Sequence, residues 1–276
     1  MKKFLFALLA VMLLSSCVFA AEVLRVGELT KLNIAPEDFD KLVLGIPTAK
    51  FQEAEFRKQP APDKRVTKFY DSLTTLTLAL NKGEVDEILL PKDVANYVVK
   101  NNDAFEISAV NHIVPNYLSF GFKDDEQGRK LKSIFNDALI TLENSGRLSM
   151  LKELYVTDPG FSEPEPVKFE RFDGAEIIKV AVTGDMPPID FIAEDGIPAG
   201  FNTAVLAECA KLAKINIELI NIDSTARAAA LVSGRVNVVF WFQTIPVGNI
   251  DVPEGIILSE PYYSWVEMYS LKLRNK

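Results

Sequence analysis

Apolar residues fall along this chain in two kinds of pattern. The first is an unbroken run at the amino terminus, Phe4 to Leu14 (FLFALLAVMLL), behind the cationic pair Lys2 and Lys3. A run of that length is too short for a stable membrane-spanning helix and has the form of a secretory signal. Two processing patterns follow it. Val18-Phe19-Ala20 before Ala21 places small residues where signal peptidase cuts, whereas Leu14-Ser15-Ser16-Cys17 has the form of a lipobox, whose cysteine is lipidated and becomes the mature terminus. The residues after Cys17 run straight into a strand-like segment instead of a polar tether. Simple cleavage is therefore the favoured reading, with lipid anchoring through Cys17 as the alternative. Either route predicts an exported protein, periplasmic or extracytoplasmic.

The second pattern is an alternation of short apolar strands with amphipathic helices, which predicts α/β architecture with largely parallel sheets. One unit of it occurs twice. Residues 73–90, LTTLTLALNKGEVDEILL, and 224–241, STARAAALVSGRVNVVFW, each read as a helix ending in Ala-Leu. Two residues follow, then Gly, one residue, Val, Asp or Asn, and an apolar strand. Gly83 and Gly234 suit the left-handed conformation that ends a helix. A strand precedes each helix, KLVLGI at 41–46 and IIKVAVT at 177–183. Turns of this kind are common in α/β proteins, but two copies about 150 residues apart predict two similar lobes. Between the copies, TDPGFSEPEPVKFERFDG at 157–174 holds three prolines and several acids without apolar periodicity, which reads as a linker.

Composition removes several functions. The chain has 276 residues, 48% hydrophobic and 25% charged, the balance of a folded protein. Acidic residues outnumber basic ones by 38 to 30, for a net charge of −8. Such a surface repels phosphate backbones, so nucleic acid is not an expected partner. The two cysteines are Cys17 and Cys209. Once Cys17 is cleaved off or lipidated no disulfide can form, and Cys209 in the helical FNTAVLAECAKLAK reads as a small buried hydrophobe. His112 is the single histidine and has no nucleophile signature beside it, so Ser-His-Asp and Cys-His chemistry lack support. No cluster of His, Cys and carboxylates has metal-ligand spacing, and LGIPTAK lacks the glycines and the Lys-Ser/Thr pair of a phosphate loop. The expectation is a protein that is not an enzyme and needs no metal or cofactor.

The longest ordered pattern lies in the second half. IKVAVTGDMPPIDFIAEDGIPAGF at 178–201 is followed by NTAVLAECAKLAKINIELINI, the AALVSGRVNVVF strand, and LSEPYY at 258–263. This succession resembles the first lobe of the periplasmic solute-binding proteins of ABC transporters, the family 3, amino-acid-binding type. KLVLGIPTAK, YDSLTTLTLALNKGEVDEILLPKDVANYVVKN and FEIS resemble the second lobe. YLSFGFKDDEQGRKLKSIFNDALITLENSGRLSMLKELYV at 117–156 is similar to the strand and helices that close such proteins. The order is rotated, as in a circular permutant, which the fold tolerates where termini lie close at the surface. A pair of incomplete modules that dimerise or swap is the competing arrangement. The implied fold is α/β: a two-lobed periplasmic-binding-protein-like fold with a ligand cleft between the lobes. Its parts are a signal peptide at 1–21, a lobe at 23–118, closing elements at 119–156, the linker at 157–174 and a lobe at 175–276.

The resemblance also implies a ligand set. Thr244, after the VVFWFQ strand, matches a threonine that hydrogen-bonds a ligand carboxylate. The arginine that clamps that carboxylate five residues later is here Asn249, and the second-lobe acid that meets the ligand ammonium is replaced by Pro91, with Asp93 nearby. Met186 stands where a stacking aromatic is usual. Thr48 and Lys50 match a strand-to-helix anion site in the other lobe. Residues that substitute for the missing clamp are Arg227, for an anion, and Asp185 and Asp190 beside the Pro-Pro turn, for a cation or hydroxyls. Trp241 and Phe242 are candidate pocket walls. Each has a plainer reading as well: Arg227 as a solvated helix charge, Asp190 as a turn cap, Trp241 as core. Tyr262 and Tyr263 are expected to pack near the hinge. Together these features predict binding of a small polar, amino-acid-like solute and docking on an inner-membrane ABC permease. A sensory or scaffold module of the same fold, and an exported dehydratase-like enzyme using Asp185 or Asp190, are the alternatives.

Overall fold

The computed structural model describes residues 24–29, 65–70, 72–157, 167–193, 196–223, 226–244 and 252–274. The amino-terminal apolar run, the KLVLGI segment with Thr48 and Lys50, and residues 158–166 of the predicted linker lie outside them. The first half contains β1 (Leu24–Leu29), β2 (Arg65–Tyr70), α1 (Leu73–Asn81), β3 (Glu87–Pro91) and α2 (Lys92–Asn101). A long strand, β4 (Phe105–Lys123), leads to α3 (Glu126–Asn144) and α4 (Arg147–Lys152), which continues as a π-helical turn, Glu153–Thr157. The second half contains β5 (Ile177–Val182), the short β6 (Asp185–Met186), β7 (Asp190–Ile192) and β8 (Pro198–Ala199), then α5 (Phe201–Ala213) and β9 (Asn216–Asn221). It ends with α6 (Arg227–Val232), β10 (Val238–Thr244), β11 (Ile256–Leu258) and β12 (Tyr263–Leu273).

The main sheet runs β2-β1-β3-β12-β4-β10-β5-β9, with β11 also on β4. Both flanks are parallel: β1 pairs with β2 and β3, and β5 with β9 and β10. The middle is antiparallel, because β4 and β12 cross between the halves in opposite directions. β12 pairs with β4 along residues 105–118, while β10 pairs with residues 117–122 and β11 with residues 121–123. A two-lobed α/β plan with two crossing strands is therefore present, drawn together into one sheet.

The helix–Gly–strand repeat has a specific physical basis. After α1, Gly83 adopts φ 71°, and after α6, Gly234 adopts φ 75°, so each chain reverses at once. Three residues beyond each glycine, a side chain extends the parallel ladder. Asp86 donates its backbone N–H to the Arg25 carbonyl at 2.8 Å, and its carboxylate accepts from the Arg25 N–H at 2.9 Å. Asn237 donates to the Lys179 carbonyl at 2.8 Å, and its Oδ1 accepts from the Lys179 N–H at 2.9 Å. The same two-bond ring thus fixes β3 on β1 and β10 on β5, satisfying strand-end groups that would otherwise face water.

Helix α3 starts at Asp125, whose carboxylate accepts from the Gly128 N–H at 2.9 Å; that bond is the chief cause holding its pKa below the usual carboxylate value. On its buried side Phe135 meets Phe120 and Phe122 edge-on, with ring centroids 5.1 and 5.3 Å apart. One apolar cluster runs from Leu76 and Val94 in the first half through Phe105 and Leu118 on β4 to Val180 and Phe201 in the second. A smaller one, with Ala181, Leu231, Val239 and Phe242, lies beneath α6. Cys209 is buried in the larger cluster, and burial pushes its thiol pKa up, which leaves it inert. The end of the predicted linker is tied down: Phe172 donates its N–H to Asn216 Oδ1 at 2.9 Å, and Asn216 Nδ2 returns a bond to the Phe172 carbonyl at 2.8 Å.

Candidate functional site

In an α/β sheet, ligand-facing groups collect at the carboxyl ends of parallel strands. At the end of β5 the chain turns through Thr183 and Gly184 into the small sheet β6-β7-β8. Gly184 has φ 67°, and a Cβ there would stand 2.3 Å from Ile192 Cγ1, so the turn requires glycine. This turn brings two carboxylates onto one hydroxyl. Thr183 Oγ1 lies 2.9 Å from Asp185 Oδ1 and 2.8 Å from Asp190 Oδ2. Asp185 is half-exposed, whereas Asp190 is fully buried. The solvent side of the pair is therefore Asp185, with Asp190 set behind it.

Asp190 is flanked by the buried apolar Met186, Ile189 and Phe191, with buried polar groups nearby. Asn202, in the first turn of α5, donates its backbone N–H to the Ile189 carbonyl at 2.9 Å. Both ends of its buried side-chain amide lack a partner among the described residues, as do the Tyr262 hydroxyl and Trp265 Nε1. Burial pushes the Tyr262 pKa well above its ordinary value, with the Asp190 charge adding to the effect. Buried groups left unpaired cost about 1–3 kcal/mol each, so each of these calls for a structural or functional account.

The first half reaches this region through two elements. Helix α1 lies against β6. In the first turn of α2, Asp93 accepts a short hydrogen bond from the Tyr263 hydroxyl, and Lys92 Nζ meets Glu267 Oε2 at 2.7 Å. Both partners are on β12, on either side of its register shift between Trp265 and Glu267. Tyr263 is buried, and desolvation first, with Asp93 second, raises its pKa well above the ordinary value.

The predicted ligand set is divided by the structure. Asp185 and Asp190 are brought together, joined by Thr183, which the sequence reading did not single out although it sits in the quoted Val-Thr-Gly-Asp turn. Met186 is buried in the main core and presents nothing to solvent. Phe242 is also buried, packed so closely on Gly121 that a Cβ there would stand 2.3 Å from its ring. Arg227 is 5% exposed and stacks its guanidinium 5.0 Å above the Phe242 ring, which replaces the reading of it as a solvated helix charge. Trp241 and Thr244 are placed by strand position: both are on β10, and Thr244 pairs with Tyr117 of β4. Tyr262 and Tyr263 are buried beside the crossing strands. Among the described residues no group of three or more His, Cys, Asp or Glu could hold a metal, and no helix is long and apolar enough to cross a membrane.

Residues 178–246, from β5 through β10, match the family model of bacterial extracellular solute-binding proteins, family 3. This segment carries the solute-binding family pattern. It covers roughly a quarter of the chain and includes Thr183, Asp185, Asp190, Arg227 and Thr244. No curated protein matches the chain significantly in sequence. Among solved structures, the ligand-binding component of an ABC-type import system from Staphylococcus aureus, with zinc bound, is 13% identical at a TM-score of 0.42. The match covers 90% of this chain and 66% of that one, just under two thirds. A periplasmic substrate-binding protein of an ABC transporter from Coxiella burnetii is 10% identical at 0.38, covering 89% and 84%. The CcmR regulatory domain of Synechocystis PCC6803 in complex with 2-PG is 9% identical at 0.40, covering 92% and 88%. At these scores the structural likenesses carry no argument, and the solute-binding pattern rests on the matched segment.

Proposed function

We propose that this chain is the extracytoplasmic solute-binding component of an ABC-type importer, closing its two halves on a small polar, amino-acid-like solute and passing it to an inner-membrane permease. The observation that carries the reading is the coincidence of the solute-binding family segment with the carboxylate pair at the carboxyl end of β5. Asp185 is the first contact for a ligand ammonium or hydroxyl, held in place by Thr183 and backed by Asp190. Thr244, at the carboxyl end of β10, is the hydroxyl on the same strand-end side. Thr48 and Lys50 are the anion-facing pair from the other lobe. Arg227, Phe242 and Met186 are buried in the conformation described and act as packing instead of ligand contacts, and Trp241 is a candidate wall residue by its position on β10.

The chain organisation belongs to the same reading: a signal peptide at 1–21, lobes at 23–118 and 175–276 in rotated order, closing elements at 119–156 and a linker at 157–174. Export proceeds by cleavage before the mature chain, with lipidation of Cys17 as the alternative anchor.

A thermal-shift series on residues 22–276 tests the reading, using amino acids, small carboxylates, polyamines and sugars. One class is expected to raise the melting temperature, since a ligand at a hundred times its dissociation constant stabilises by about 2.7 kcal/mol. Asp185→Ala and Thr244→Ala are each expected to remove most of the shift. If folded, ligand-stripped protein responds to no class, the importer reading fails. Turnover of a bound solute would replace it with an exported enzyme using Asp185 or Asp190.

A further inference from the structure

A cavity of about 300 Å³ opens beside the crossing strands, on the side of α4. Its floor is apolar and aromatic: Leu148, Phe201, Tyr262 and Tyr263 are all buried. Its walls include the half-buried Tyr117 and Lys152, and Glu143 stands exposed at the rim. Lys152 ends α4 where the backbone widens into the π-helical turn, a local irregularity that often marks a functional position. Its ammonium lies 4.8 Å above the Tyr263 ring. No carboxylate among the described residues comes within ion-pair reach of it, and the hydroxyls of Tyr117 and Ser264, which also line the cavity, have no hydrogen-bond partner there. These donors line a cavity with a ring-lined floor, and the volume lies at the lower end of the range for small-molecule sites.

We propose that this cavity is a second binding site, for a small aromatic carboxylate. The ring lies on the floor formed by Phe201, Tyr262 and Tyr263, where offset or edge contacts between rings are favourable. The carboxylate meets Lys152 and the Tyr117 hydroxyl, a charge-assisted contact in partly desolvated surroundings. Glu143, exposed at the rim and screened by solvent, disfavours ligands with a second negative charge. The occupant touches Tyr263, whose hydroxyl holds Asp93 of the first half, so it bears directly on the tie between the halves. The site stands independently of the importer reading, because it uses none of the residues assigned to the solute.

Titration calorimetry and saturation-transfer NMR on the mature chain test it, with benzoate as probe and acetate and benzylamine as comparators. Benzoate is expected to bind, with acetate and benzylamine each about tenfold weaker or worse. Lys152→Met, which keeps the aliphatic stem, should weaken benzoate about tenfold, and Lys152→Arg should restore most of it. Asp185→Ala should leave benzoate binding intact. The proposal is overturned if benzoate does not bind at millimolar concentration, if benzylamine binds as well, or if folded Lys152→Met binds unchanged. Loss of benzoate binding in folded Asp185→Ala alone would overturn it too, by placing the probe at the other site.

Discussion

Asp86 and Asn237 show how a single side chain can extend a parallel strand: each closes a two-bond ring with the neighbouring strand, and in each half it does so three residues after the helix-ending glycine. Aspartate or asparagine can close the ring, which needs only an acceptor oxygen at that reach, and Asp86 in addition pairs its carboxylate with the Arg25 guanidinium. Gly128 is constrained differently. A Cβ at that position would sit 1.8 Å from the Lys123 carbonyl oxygen, a backbone atom that cannot swing aside. Gly128→Ala is therefore expected to destabilise the protein by about 3 kcal/mol, the upper end of overpacking costs, by urea denaturation. Wild-type stability in that variant would mean the Asp125 cap is not closed as described. Phe242 illustrates what residue identity alone does not reveal. On the sequence it stands beside Trp241 as a candidate pocket wall, and only the close packing on Gly121 shows that its ring faces the interior.

At the scale of elements, the first turn of α2 is tied to β12 by two contacts of unequal weight. The Tyr263–Asp93 bond involves a buried hydroxyl, whereas the Lys92–Glu267 pair is substantially solvent-exposed, at 44% and 23%. Tyr263→Phe removes a hydrogen bond to a charged group and is expected to cost about 1.5–3 kcal/mol. Lys92→Met should cost less than about 1 kcal/mol. Both are measurable by denaturant titration, and equal effects would contradict the difference in burial. The pH dependence follows from the same burial. Tyr262 and Tyr263 have folded pKa values well above the ordinary one, so the unfolded chain releases their protons first as pH rises past about 10. The unfolded state then binds fewer protons than the native state, and stability falls as pH rises. Denaturation at pH 8 and pH 11 should show that fall, and it should be smaller in Tyr263→Phe.

For the whole molecule, the continuous core matters more than the division into halves. Because apolar contacts run from Leu76 through β4 to Phe201, neither half buries its own surface fully without the other. Calorimetry is expected to show one transition, with calorimetric and van't Hoff enthalpies equal. Two resolved transitions would show that the halves fold separately. The importer reading asks these halves to move apart, so solute exchange must open part of a shared core. Opening is then expected at the cleft side, where α1 lies against β6, with β4 and β12 remaining paired as the hinge.

The sequence by itself determined the local plan: α/β alternation, the two helix–Gly–strand units with Gly83 and Gly234 at positive φ, the burial of Cys209, and the family pattern at 178–246. These depend on residues a few positions apart, through capping, strand alternation and helix periodicity, so a linear pattern contains them. Strand β2, RVTKFY, was not legible, because its alternation is interrupted by charge and it acts as an edge. Only the tertiary structure decided that Thr183 joins Asp185 to Asp190, that Met186 and Phe242 turn inward, and that Tyr263 reaches Asp93 across 170 positions of sequence. The physical reason is common to all three. Which face of a strand meets solvent, and which hydroxyl meets which acid, depends on segments distant in the chain that pack against it.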